Sequence, residues 1–157
     1  ERPFEGWALS TFGAGNEAKV IETREARSGR RALLLSVPEG KGYALVSSSL
    51  VRVEPNSRYR VSFWAKTLEG DGFVRVNFYG GPEYDFEQVP VDLVDDGRWH
   101  RYEVEVPTGA FPEGVSPYFR LWAIGRPQKV LVDDILVEPL RTPAPPLRAE
   151  VLRFERL

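Results

Sequence analysis

The chain reads as an all-β domain, a two-sheet β-sandwich of the jelly-roll kind, and three observations predict it. Apolar and polar residues alternate with period two in several runs, most clearly Tyr59 to Lys66, Phe73 to Tyr79 and Tyr118 to Ile124, as strands with one buried face require. The 14 Gly and 13 Pro interrupt these runs so that about nine short strands recur at roughly 8–12-residue spacing. No apolar pattern of helical period appears before residue 140, which leaves sheet on sheet as the packing solution.

In chain order, Phe4-Glu5-Gly6-Trp7 opens a short element and Phe12 to Asn16 reads as a loop. Val20 and Ile21 begin a polar, edge-like strand, and Ser28-Gly29-Arg30-Arg31 is a turn. Ala32 to Val37 is a strong strand ending at Pro38, and Glu39 to Gly42 is a flexible loop leading to Tyr43 to Val46. Ser47-Ser48-Ser49 has no acid–base machinery nearby in sequence, so no serine nucleophile is expected there. Glu54 to Ser57 is a turn by composition. From Tyr59 the chain alternates Tyr59, Val61, Phe63 and Ala65 against Arg60, Ser62, Trp64 and Lys66. After the turn Glu69 to Gly72, Val74, Val76 and Phe78 make a core face opposite Phe73, Arg75, Asn77 and Tyr79. Gly80-Gly81-Pro82 breaks that strand. Tyr84 to Val91 reads as another, with Tyr84, Phe86 and Gln88 on one side. Asp95-Asp96-Gly97 turns into Trp99 to Val106, where His100, Tyr102, Val104 and Val106 oppose Arg101, Glu103 and Glu105. Pro107 to Pro117 is a loop. In Tyr118 to Ile124, Phe119, Leu121 and Ala123 oppose Tyr118, Arg120, Trp122 and Ile124.

The last strand, Lys129 to Glu138, is an apolar β-branched run with Asp133 and Asp134 at its centre, closed by Pro139. Strand geometry sends neighbouring side chains to opposite faces, so the two carboxylates are expected to diverge. One faces a core or a specific partner, where it needs a cation, an arginine or several N–H donors. Residues 1–140 are read as one module. Residues 141–157 are a proline-rich linker and a charged tail that either runs to a neighbouring module or subunit or packs back on this one.

The bulk numbers narrow the classes. A formal charge of −2, from 21 basic and 23 acidic residues, gives no field for nucleic acid or a membrane surface. The absence of Cys rules out disulfides and thiolate metal sites, and a single His rules out histidine-rich zinc. No run approaches the roughly 20 apolar residues of a membrane-spanning helix. A chain that opens at Glu1 without any Met is expected to be a processed product or a piece of something longer.

Four pieces stand in a recognisable order: Phe4-Glu5-Gly6, then Ser28 to Leu33, then Pro55 with Tyr59 to Lys66, then Val132-Asp133-Asp134-Ile135. With Trp99 opening its strand, they resemble the β-jelly-roll carbohydrate-binding modules of the family 4, 9, 16 and 22 type, a galactose-binding-like fold, over roughly residues 3–138. The resemblance implies a structural calcium ion tying the first strand to the last. Glu5 and Asp133 would supply side chains, and Pro3, Gly29, Arg30 and Arg31 backbone carbonyls. Calcium takes six to eight oxygens of this kind. The alternative is that Glu5 and Asp133 pair with Arg30 or Arg31 without metal.

The resemblance also implies that a glycan chain lies across an aromatic-bearing concave sheet, in an extracellular or cell-surface setting, targeting a tethered partner domain. Sugars need flat aromatics for their C–H faces and polar groups for their hydroxyls. The faces opposite the core residues carry that mixture in Trp64, Arg75, Asn77, Tyr79, Tyr84, Phe86, Gln88, Arg120 and Trp122. Tyr43 sits where relatives place a stacking aromatic. Trp64 serves equally as core packing, Trp99 and Trp7 are expected to be structural, and Arg75 and Arg120 have a simpler role in solubilising a sheet. A glycosidase would need two carboxylates across a cleft. Adjacent Asp133 and Asp134 do not provide them, Glu103 and Glu105 read as solvated charge, and His100 reads as a hydrogen-bonded residue. The expected role is non-catalytic glycan binding; the alternative is a structural or adhesive sandwich of an extracellular or viral assembly.

Overall fold

The computed structural model describes residues 6–140 and 150–152. The strands are β1 (Trp7–Phe12), β2 (Glu17–Glu22), β3 (Arg31–Val37), β4 (Tyr43–Ser48), β5 (Arg58–Gly70), β6 (Phe73–Tyr79), β7 (Val89–Asp92), β8 (His100–Pro107), β9 (Tyr118–Ile124), β10 (Gln128–Pro139) and β11 (Glu150–Leu152). Two antiparallel sheets face each other. Sheet A runs β1-β4-β9-β6-β7, and sheet B runs β2-β3-β10-β5-β8 with β11 alongside β10.

Alternation decides what fills the space between them. Leu33, Leu35 and Val37 of β3, Tyr59, Val61, Phe63 and Ala65 of β5, and Val130 and Val132 of β10 meet Val74, Val76 and Phe78 of β6 and Phe119, Leu121 and Ala123 of β9. These are the core faces expected for β5, β6 and β9, because a half-buried strand can bury only one of its two side-chain sets. Tyr59 adds an edge contact to Phe78 at 5.1 Å, and its hydroxyl accepts the Glu54 N–H at 2.7 Å.

A second apolar layer lies on the outside of sheet B, where Ala32, Leu34 and Leu131 pack with Ile21, Ala26, Leu68 and Trp99. The β2–β3 loop, residues 23–30, covers it. The Trp99 indole N–H donates to the Glu25 carbonyl at 2.7 Å, Lys66 pairs with the Glu25 carboxylate at 2.8 Å, and the Arg27 guanidinium lies 3.9 Å above the Trp64 ring.

Three sequence expectations change. Phe12 closes β1 rather than sitting in a loop, because it pairs with Tyr43 across β1–β4. The expected strand Tyr84 to Val91 is instead a 3₁₀ turn at Pro82–Tyr84 followed by β7; Pro82 opens the turn, where its missing N–H costs nothing. The carboxylates of Asp133 and Asp134 do not diverge. A β-bulge between Asp133 and Leu136 shifts the β10–β5 register, Asp134 adopts φ +49°, and both carboxylates engage Ser28. A bulge inserts one residue and resets the period-two rule.

Residues Glu150–Leu152 pair with Ile135–Val137 of β10, so this part of the tail folds back on the domain. The rest of the linker and tail, residues 141–149 and 153–157, lies outside the described residues, as do Pro3 and Glu5.

Candidate functional site

The outer face of sheet A is built from residues that the register places side by side. Tyr43 of β4 stands opposite Ile124 of β9, and Leu45 opposite Trp122. On the other side of β9, Trp122 faces Arg75, Arg120 faces Asn77 and Tyr118 faces Tyr79. Seven of the ten expected ligand residues, Tyr43, Arg75, Asn77, Tyr79, Gln88, Arg120 and Trp122, therefore come together on or beside one face. Tyr84 stands in the adjacent 3₁₀ turn. Phe86 departs from the group: it packs against the core and lies 6.0 Å from Phe111. Trp64 departs furthest, since it belongs to β5 in sheet B and lies under Arg27.

Two aromatic pairs mark the ends of this face. Phe12 stacks on Tyr43 with centroids 5.9 Å apart and planes at 24°, and Phe12 is 67% exposed. Asn16 holds this shelf by donating its amide to the carbonyls of Phe12 and Lys41 at 2.7 and 2.9 Å. Gly42 lets the strands close, because a Cβ there would stand 1.8 Å from the Phe12 carbonyl oxygen. At the other end, Tyr79 and Tyr118 meet edge to face at 5.7 Å. Six residue steps along β9, from Tyr118 to Ile124, separate the two ends, roughly 20 Å along the strand.

Between the pairs lies a polar network centred on Asp85. Asn77, fully buried, donates to Asp85 Oδ1 and to the Phe86 carbonyl, both at 2.8 Å, and accepts Arg120 Nε–H at 3.0 Å. Arg120 also pairs with Asp85 at 3.0 Å. Its guanidinium carbon lies 4.0 Å from the centre of the Tyr79 ring and 4.7 Å from that of Trp122. Gln88 donates to Asp85 at 3.3 Å and accepts from Arg75 at 3.3 Å. Trp122 is only 5% exposed. It and Asn77 thus lie beneath the face, and the rings of Phe12, Tyr43, Tyr79 and Tyr118 are grouped at its two ends.

Sequence reasoning set Tyr118 beside Arg120 and Trp122 but missed Asp85 and Phe12 as members of this site. Asp85 forms a bridge with Tyr79, which puts it on the face where Tyr84 and Phe86 were expected. The cue available was its position between two aromatics just after a Gly-Gly-Pro break. The Pro107 to Pro117 loop, expected to shape a groove, walls a cleft of about 540 Å³ with residues 49–55. Gly80 sits where a Cβ would come within 3.3 Å of the Val115, Pro117 and Tyr84 side chains, so the two loops are tightly apposed.

Of the expected metal residues, the described ones, Asp133, Gly29, Arg30 and Arg31, lie at the opposite sheet. Asp133 is 1% exposed and accepts the N–H of Ser28 at 3.0 Å and of Asp134 at 2.9 Å, together with that of Arg27. Burial pushes its carboxyl above the ordinary value; the Ser28 N–H opposes this and the neighbouring Asp134 charge adds to it. Of the three kinds of partner such a carboxylate requires, the described residues supply N–H donors. Gly29 takes φ +64°, the Arg30 carbonyl accepts the Thr23 N–H at 2.7 Å, and Arg31 pairs with Glu22 across β2–β3. Of the 28–31 segment, Ser28 is the residue bonded directly to Asp133. No cluster of three potential ligand side chains occurs among the described residues.

No protein-family model matches the chain, and no curated protein matches its sequence. Solved structures do match in fold. The CBM22-1 xylan-binding domain of Paenibacillus barcinonensis Xyn10C superposes with a TM-score of 0.60 at 17% identity, covering 91% of each chain. Tailspike protein 4 of bacteriophage CBA120, in its enzymatically active domain, gives 0.63 at 13% identity over 87% of this chain, which spans only 20% of the tailspike chain. A Stig cyclase from Fischerella gives 0.62 at 18% identity over 87% and 86%. Further matches include modules of families 4, 16 and 61. Together with the strand order above, they show that this chain has the β-sandwich fold of the jelly-roll carbohydrate-binding modules.

Proposed function

We propose that the chain is a non-catalytic carbohydrate-binding module that takes a glycan chain along the outer face of sheet A. The observation that carries this reading is the pair of aromatic shelves, Phe12–Tyr43 and Tyr79–Tyr118, at either end of a face lined with guanidinium and amide groups. Stacking platforms separated by several sugar lengths, with polar groups between them, suit an extended oligosaccharide. A module of this kind, set in a secreted or cell-surface protein, raises the local concentration of a polysaccharide for a tethered partner. A calorimetric panel of soluble β-glucan, xylan and mannan tests it. Binding to at least one is expected, weakened about tenfold in Tyr79→Ala; silence across the panel would sink the reading.

A structural calcium ion belongs to the same proposal, held by Asp133 and by carbonyls of Gly29, Arg30 and Arg31, with Pro3 and Glu5 from outside the described residues. It would neutralise the buried carboxylate and stabilise the fold. A chelator should lower the melting temperature, and calcium should restore it.

A second reading, a structural or adhesive sandwich without a sugar site, is favoured by the covered Trp122 and by Arg120 lying across Tyr79. The same glycan panel separates the two.

A further inference from the structure

We propose that the sheet A face is selective for acidic glycans, seating the carboxylate of a uronic acid on Arg75. This rests on the reading of that face as a glycan site and names the class of sugar it takes.

Among the described residues, most cations of this domain are paired with acids. The part-buried cations Arg60, Lys66, Arg120, Arg126 and Lys129 each hold a carboxylate, Glu103 and Glu138, Glu25, Asp85, Asp71 and Asp92, and Glu69 respectively, and Arg31, also part-buried, has a partner of its own. Arg75 is also part-buried, yet it holds no carboxylate among the described residues. Its one hydrogen bond is a 3.3 Å contact from NH1 to the neutral amide oxygen of Gln88. Its Nε is buried with no acceptor. Drawing a guanidinium out of water without a counter-charge is unfavourable, and a buried donor left unsatisfied adds to that cost. A ligand carboxylate does not reach the enclosed Nε, but at the terminal NH groups it supplies the missing counter-charge, and its planar geometry matches the guanidinium fork in a way a neutral hydroxyl does not.

Position points the same way. Arg75 stands in mid-strand on β6, with Trp122 opposite on β9 and Pro90 opposite on β7. It therefore lies between the two aromatic shelves, where a bound chain would cross. Two acids flanking this face are already committed. Asp85 is taken by Arg120, Asn77 and Gln88, and Asp92 by Arg126 at 2.7 Å. An arriving carboxylate thus meets a cation that no carboxylate among the described residues pairs with.

The test compares polygalacturonate, glucuronoxylan and alginate, each against its carboxyl-reduced counterpart, by calorimetry at low and high NaCl. At least one acidic form is expected to bind about tenfold tighter than its reduced form, with the gap shrinking as salt rises. Arg75→Gln should bring that ratio close to one. Gln88→Glu should do the same by supplying an internal carboxylate, which keeps the test decisive if Arg75→Gln fails to fold. Equal binding of acidic and reduced forms by the native chain overturns the acidic preference and leaves the glycan reading standing. A preference that survives in both variants, or one for dextran sulfate over every uronate, overturns the assignment to Arg75 and a carboxylate. No binding to any of these, nor to neutral glucan, xylan or mannan, removes both readings.

Discussion

The two outer faces of the sandwich solve one problem in different ways. Each carries a tryptophan beneath an arginine: Trp64 under Arg27 on sheet B, and Trp122 beside Arg120 on sheet A. On sheet B the cover is main chain. Residues 23–30 cross the face, their N–H groups hold Asp133, and the Glu25 carbonyl holds the Trp99 indole. On sheet A the cover is side chain, a mesh of Asn77, Asp85, Gln88 and Arg120 with aromatic shelves at both ends. A main-chain cover can be lifted only by breaking backbone hydrogen bonds. Rotamers can rearrange without disturbing the ladder beneath them, so the cover on sheet B is fixed by the fold and the one on sheet A can open through side-chain motion alone.

The sharpest test of that contrast is Trp122→Ala, which removes a ring buried almost completely and should cost about 3 kcal/mol in chemical denaturation. Trp64→Ala should cost less, about 1–2 kcal/mol, because its ring is part-exposed and one of its contacts is the exposed Arg27 guanidinium. The reverse order would break the comparison. Nearly as large, Asp133→Ala should cost about 3 kcal/mol by stranding the N–H groups of Arg27, Ser28 and Asp134. A loss under about 1 kcal/mol would mean that the β2–β3 loop is not held through that carboxylate.

A pH series sharpens the same point with chelator present. Because burial holds the Asp133 carboxyl above 3.8, charging it opposes folding. That cost is absent below the unfolded value and fully present once the pH has risen through the folded one. Native protein should therefore gain stability relative to Asp133→Asn as pH falls from neutral toward 4, read as the difference in melting temperature. A difference that does not change with pH would show that the carboxyl is not strained by burial. The smallest effect is expected at Trp99→Phe, about 1 kcal/mol for the lost bond to Glu25, with glycan binding unchanged. A fall in glycan affinity there would mean that the two faces are coupled.

The core of this domain was legible because each strand announces its own buried side. Tyr59 to Lys66, Phe73 to Tyr79 and Tyr118 to Ile124 placed the same residues inward as the structure does. The candidate site was legible in part, through Arg75, Asn77 and Tyr79 facing Trp122, Arg120 and Tyr118. Trp64 was grouped with them because its alternation is equally clear, although alternation names a face and never a sheet. Asp85 and Phe86 exchanged sides because a 3₁₀ turn replaced the expected strand, and the Asp133–Asp134 pair converged because of a bulge.

The sequence alone therefore determined the strand runs, the turns between them and the inward set of most strands, since period two and the conformational limits of Gly and Pro act within a few residues. Which strands share a sheet, and which outer face a loop covers, only the tertiary structure decided. Those outcomes depend on hydrogen-bonded pairing between segments far apart in the chain, such as β4 with β9 and Ser28 with Asp133, and no local pattern encodes the partner.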